Sequence, residues 1–129
     1  MVTNIYEWAA ELTIFIHFLF IVFVVLGSLL CLLNLKLIVF HLLSVAWGVY
    51  IELSSKICPL TYLENWLLEK AGLNSYSNGF IANYIFRIVY PDGLTDQIQI
   101  YLATSLIIVN LFLYSLIYYL KRNWLTKDE

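Results

Sequence analysis

The sequence predicts an all-α membrane protein with three transmembrane helices. The first two form an antiparallel hairpin, and short interfacial or amphipathic helices lie between the second and the third. Three observations predict it. Hydrophobic residues make up 62% of the 129 and charged residues 12%, about half the charge that a water-solvated surface carries. The apolar residues gather in three long runs. The few polar residues inside the first two runs recur at helical spacing, so each of those helices has one semi-polar face. Composition excludes other classes. Seven basic against nine acidic residues leave no basic footprint for nucleic acid. Two cysteines cannot staple a small scaffold, and low charge with many aromatics is not the signature of disorder. Without repeats, low-complexity tracts or a Gly/Ser linker, residues 1–129 are expected to form one membrane domain.

The first span, 12–33, is broken only by Thr13, His17, Gly27 and Ser28 and reaches about 33 Å, enough for a hydrocarbon core of about 30 Å. Glu7 and Glu11 precede it where a signal peptide would carry Lys or Arg, so it is expected to be a retained helix. Asn34-Leu35-Lys36 then leaves room for only a tight turn before the second span, 35–55. The third span, 96–120, has Thr95 as its N-cap and Pro91-Asp92-Gly93 as the turn before it.

The region 61–90 is expected to be helical without spanning. Thr61 and Glu64 have capping-box spacing and Gly72 the place of a C′ glycine, which predicts a helix over 62–71. Phe80, Ile81, Tyr84, Ile85, Ile88 and Val89 then make an apolar stripe, with Asn83 and Arg87 off it. That segment suits the membrane interface or, if protein buries it, a re-entrant turn. Lys36, Lys121, Arg122 and Lys127 fall on one side of this topology, and Lys56, Lys70 and Arg87 on the other. The balance places the N-terminus outside and the C-terminus in the cytoplasm. Tyr6 and Trp8 at one end, and Tyr118, Tyr119 and Trp124 at the other, have the positions of interfacial anchors.

Hairpin geometry places His17 level with Glu52, and His41 level with Ser28 about 16 Å further along the axis. That separation argues against the two histidines as axial ligands of one haem. His17, Val24 and Ser28 share one face of the first helix; His41, Ser44, Gly48 and Glu52 share one face of the second. Ser44 and Gly48 would permit close approach. A His17–Glu52 pair is therefore expected near the outer end of the hairpin, with Cys58 close above it. The pair either fixes the register of the hairpin or belongs to a polar pocket that binds a ligand. Metal binding is the weaker reading, because the spacing of His, Glu and Cys matches no compact ligand motif. Cys31 and Cys58 fall at opposite ends of the hairpin, too far apart for a disulfide. His41, Glu64 and Asn110 are further candidates: Glu64 as the partner of Thr61 in the capping box, Asn110 as a mid-span donor to another helix.

Three functions stay open on these residues. The first is a binding or accessory module, with the lipid bilayer as its solvent and a partner membrane subunit or a second copy as its company. The second is a membrane enzyme or a redox or metal protein using Cys58 and His17. The third is a subunit of an oligomeric transporter, with His41 and Ser28 at one end of a polar path and His17 and Glu52 at the other. No phosphate loop, nucleophile elbow or zinc-protease helix occurs, and the sequence names no cofactor.

The order of features from Ile16-His17-Phe18, through His41, Trp47-Gly48 and Glu52, to Cys58-Pro59-Leu60-Thr61-Tyr62-Leu63-Glu64-Asn65 resembles domain-of-unknown-function family 2784. Ala71-Gly72, Tyr76-Ser77-Asn78-Gly79-Phe80-Ile81 and Val89-Tyr90-Pro91 continue the likeness across nearly the whole chain. The resemblance implies a small, multi-pass protein of the bacterial inner membrane and implies no activity. His17, His41, Glu52, Cys58 and Glu64 all lie within it.

Overall fold

The computed structural model describes residues 2–77, 80–86 and 95–127, with the side chains of 2–4, 86 and 124–127 left aside. Among them every regular element is helical. Helix α1 is Val2–Leu26 and passes directly into a 3-10 helix, Gly27–Leu32. The turn that follows is held by the Lys36 amide donating to Asn34 Oδ1, 3.0 Å. Next come α2, Leu37–Leu53, and α3, Pro59–Lys70. A π-helix over Ile81–Phe86 precedes α4, Asp96–Lys127.

Two of these helical stretches, Ile5–Leu32 and Asp96–Asn123, are long and apolar enough to cross a membrane. Helix α2 has 17 residues and reaches about 25 Å. The first helix starts ten residues before the expected 12–33. Tyr6, Ala10, Thr13 and His17 form one stripe that packs inward, while Glu7 and Glu11 stay exposed on the other side. Against that stripe lies α3, running back along α1: Trp66 near its end meets Tyr6 edge-on, with ring centroids 6.1 Å apart. Helices α2 and α4 are antiparallel, since the Ser55 hydroxyl donates to Asp96 at one end and His41 meets Tyr114 further along.

The helix α3 corrects the expected capping box. It begins at Pro59, with Cys58 at the N-cap making no side-chain cap bond. Proline suits the first helical position because it lacks the amide that would go unpaired there. Thr61 and Glu64 therefore sit inside the helix, both fully buried. The other end is as expected. Gly72 has φ +74°, and Leu73 N–H→Leu68 O and Gly72 N–H→Glu69 O close a Schellman motif. Thr95 caps α4, accepting from the Ile98 amide at 3.4 Å.

The segment after Ser77 also differs from expectation. Residues 81–86 wind with π rather than α spacing, which moves the packed face. Phe80 and Ala82 are buried, and Ile85 is exposed. Arg87, Ile88, Val89 and the Pro91-Asp92-Gly93 turn lie outside the described residues.

One backbone group joins three helices. The α-helical ladder of α1 stops at Leu26, so the Val24 carbonyl belongs to the last turn, which has no amide four residues on to accept. It accepts instead from Nε2 of His41 on α2, 3.3 Å, and from Nδ2 of Asn110 on α4, 3.2 Å. In the neutral ring, Nδ1 of His41 then accepts from the Tyr114 hydroxyl, 2.6 Å away on α4. Cys31 lies 3.8 Å from that same hydroxyl. Gly27 makes the arrangement possible: a Cβ there would lie 2.5 Å from Cδ2 of His41 and 2.8 Å from the Phe23 ring. One turn away, Gly48 brings α2 against Val24 and Leu106. Ser44 instead bonds back to the carbonyl of Phe40.

Gly27→Ala should cost about 1–3 kcal/mol, the usual penalty of overpacking, because the methyl group displaces the His41 ring. Equilibrium unfolding in detergent measures this. A variant as stable as wild type would contradict the packing described.

Candidate functional site

A cavity of about 660 Å³ opens between α1, α2, the residues after α2, the π-helix and α4. Its floor is the level of Val24, Gly48 and Leu106, just where the shared carbonyl draws the three helices together. Phe20, Ile21, Trp47 and Leu102 supply apolar wall, and His17, Glu52, Ser55, Cys58, Asp96 and Gln99 supply polar lining. The three residues expected at one level, His17, Glu52 and Cys58, thus line one space.

The expected His17–Glu52 pair is not made. No hydrogen bond or ion pair joins the two, and Nδ1 of His17 and Oε2 of Glu52 are each buried without a partner. The physical reason is the cavity itself, which keeps the faces of α1 and α2 apart at this level. The tight hairpin assumed from the turn alone closes only further down, at Gly27 and Gly48. The His17 ring instead packs on Phe80, with centroids 4.2 Å apart. Among the described residues no group of three or more His, Cys, Asp or Glu side chains could hold a metal, and both cysteines are free.

A second polar centre lies beside the cavity, and the sequence reading missed it. The carboxyl group of Glu64 accepts from the Tyr76 hydroxyl, 2.7 Å, and from the Tyr84 hydroxyl, 2.6 Å. Its neighbour Asn65 grips the backbone of Tyr76 in both directions, donating to the carbonyl at 2.7 Å and accepting from the amide at 3.1 Å. Helix α3 therefore holds both the loop and the π-helix. Phe80 stacks on Tyr84, which meets Tyr76 edge-on, so an aromatic series runs from His17 to Glu64. Burial, followed by the hydrogen bonds and the negative charge of Glu64, raises the pKa of both Tyr76 and Tyr84 above the ordinary phenol value. Glu64 is thus an acceptor for tyrosines rather than a capping residue. The place of Glu64-Asn65 in the stretch that carries the family resemblance was the one signal that could have found it.

His41 and Asn110 do not reach the cavity; both are committed to the Val24 carbonyl. Asn110 bonds another helix, as its isolated mid-helix position led one to expect. Tyr114, the partner of His41, was not foreseen. Ser28 does not meet His41, and its hydroxyl is buried without a partner.

A family model described as "Protein of Unknown function (DUF2784)" matches residues 7–115. No curated protein and no solved structure matches the chain.

The two raised phenols predict a pH dependence. The unfolded chain releases these protons near pH 10 and the folded chain releases them later. Their stabilisation is therefore complete below about pH 10 and is lost as the pH rises through the folded values. Unfolding free energy followed from pH 9 to 12 should fall more steeply for wild type than for Tyr76→Phe/Tyr84→Phe. At pH 8 the double variant should be the less stable by about 1–3 kcal/mol for each lost bond to a buried group. Parallel curves would show that the phenols are not held on Glu64.

Proposed function

The chain belongs to the DUF2784 family, and on that premise we propose that it is a single-domain, three-span protein of the bacterial inner membrane that binds a small molecule between its helices. The cavity lined by His17, Glu52 and Cys58 is the binding site. The N-terminus and the region from 55 to 95 lie outside, and the Lys36 turn and the C-terminus lie in the cytoplasm.

The surface supports the membrane reading. Only 28% of the apolar window in the first long helix and 17% of that in α4 is buried, whereas the core helix of a soluble protein is mostly buried. Phe40, Leu43, Leu111 and Phe112 are all more than 60% exposed, large apolar side chains that lipid solvates and water does not. Helix α2 then crosses as the second span, with the residues at its two ends completing the thickness.

One observation carries the binding reading: His17 and Glu52 line one largely apolar cavity, and each carries a buried polar atom without a partner, Nδ1 and Oε2. In an apolar interior a polar atom without a hydrogen bond costs about 1–3 kcal/mol, and a ligand that satisfies both recovers it. The volume falls within the range of about 300–1,000 Å³ found for small-molecule sites.

Native mass spectrometry of the protein purified in mild detergent should find a bound small molecule on wild type. His17→Ala and Glu52→Gln should both lose it while keeping wild-type helicity. If both variants simply unfold, and wild type never carries anything, the two residues are structural and the binding reading is wrong.

A further inference from the structure

The cavity's charge and shape name the chemical class of its ligand. Among the described residues two carboxylates line it, Glu52 and Asp96. Asp96 accepts the Ser55 hydroxyl, while Oε2 of Glu52 has no partner. Among the described residues the basic side chain on the lining is Lys56, which donates its ammonium to the Tyr50 hydroxyl at 2.8 Å and lies over that ring. Its charge is held on the exposed face of α2 and is not directed at Glu52. The polar end of the cavity therefore offers acceptors and negative charge. The opposite end is hydrocarbon: Ile21, Val24, Leu102 and Leu106 line it. From His17 to Val24 the wall runs seven residues, about 10 Å along the helix axis.

We propose that this site binds an amphipathic primary amine, with its ammonium between Glu52 and His17 and its alkyl chain directed towards Val24 and Leu106. An ammonium carries three N–H donors and no acceptor, which matches in kind the unpartnered acceptors of Glu52 and His17 and neutralises the carboxylate. An anionic headgroup would meet Glu52 and Asp96 with the wrong sign. An uncharged alcohol has a single hydrogen to give and leaves one acceptor without a partner. The proposal rests on the binding reading above and assigns its ligand class.

The test uses the full chain in phosphatidylcholine nanodiscs, with an alkylamine carrying a photoreactive diazirine on its chain and the matching alkyl alcohol as second probe. Saturable labelling by the amine should map to the segments 20–25 and 102–106. Dodecylamine should compete at a concentration roughly tenfold or more below that needed for dodecanoate, as a buried charge pair demands. Glu52→Gln should cut amine labelling by a similar factor and leave alcohol labelling in place, and Glu52→Asp should restore part of it. If dodecanoate competes as well as dodecylamine, the amine assignment fails while the cavity remains a binding site. The same holds if Glu52→Gln labels like wild type. If neither probe labels these segments saturably, the binding reading itself fails. The competition on wild type decides the question even if the Glu52 variants do not fold.

Discussion

The fold depends on one carbonyl group. Val24 lies where α1 gives up α-helical winding, so its oxygen is released from the ladder at a position surrounded by other helices. Among packed helices such an oxygen has no water to turn to, and leaving it unsatisfied is costly. His41 and Asn110 supply two donors from two different helices, which fixes α1, α2 and α4 at one common depth. The tautomer that lets His41 donate also turns its other nitrogen into an acceptor for Tyr114, adding a second tie between α2 and α4. Gly27 is the steric condition for all of this, since any side chain there would occupy the place of the His41 ring.

Everything above that knot follows from the helices being pinned below it. Towards the other end Ser55 still bonds Asp96 and keeps the end of α2 on the start of α4, while α1 separates from them, and the space between is the cavity of His17, Glu52 and Cys58. A second anchor limits the separation. Glu64 and Asn65 on α3 hold Tyr76 and Tyr84, and through them the π-helix and Phe80 are brought over His17. Burying the Glu64 carboxyl group without partners would be expensive; two phenol donors at short distance offset that cost. The cavity is therefore bounded by two polar networks, in and beside which Asn110 Oδ1 and Thr61 Oγ1 are buried without partners, as are Nδ1 of His17 and Oε2 of Glu52 on residues that line the cavity. What sets His17 and Glu52 apart is that both residues line one cavity.

Much of this was readable where the determining forces are local. The turn at Asn34, the cap at Thr95, the glycine stop at Gly72 and the helical faces carrying His17 and Glu52 all follow from short-range spacing. So does the use of Asn110, because a lone amide on an apolar helix has few alternatives. Two features resisted for different reasons. Glu64 imitated a capping box with Thr61, and the rival signal, Pro59 at the first helical position, shifts the helix start by only a few residues yet reverses the role of the carboxylate. Tyr76, Tyr84 and Tyr114 are aromatics in a chain rich in them, and their partners lie 12, 20 and 73 residues away; no spacing rule connects them. The π winding at 81–86 likewise depends on tertiary contacts, and it moved the packed face away from the stripe that α-helical spacing implied.

In the proposed topology the chain crosses the membrane three times, with the knot at Val24 inside the bilayer and the cavity nearer the outer face. Substituted-cysteine labelling in intact bacterial cells tests this directly, on a background with Cys31 and Cys58 replaced by serine. A membrane-impermeant maleimide added from outside should label Asn74→Cys, while Leu35→Cys and Glu129→Cys should react only after lysis. Labelling of Leu35→Cys and Asn74→Cys from the same side would contradict the account, because α2 would then not cross.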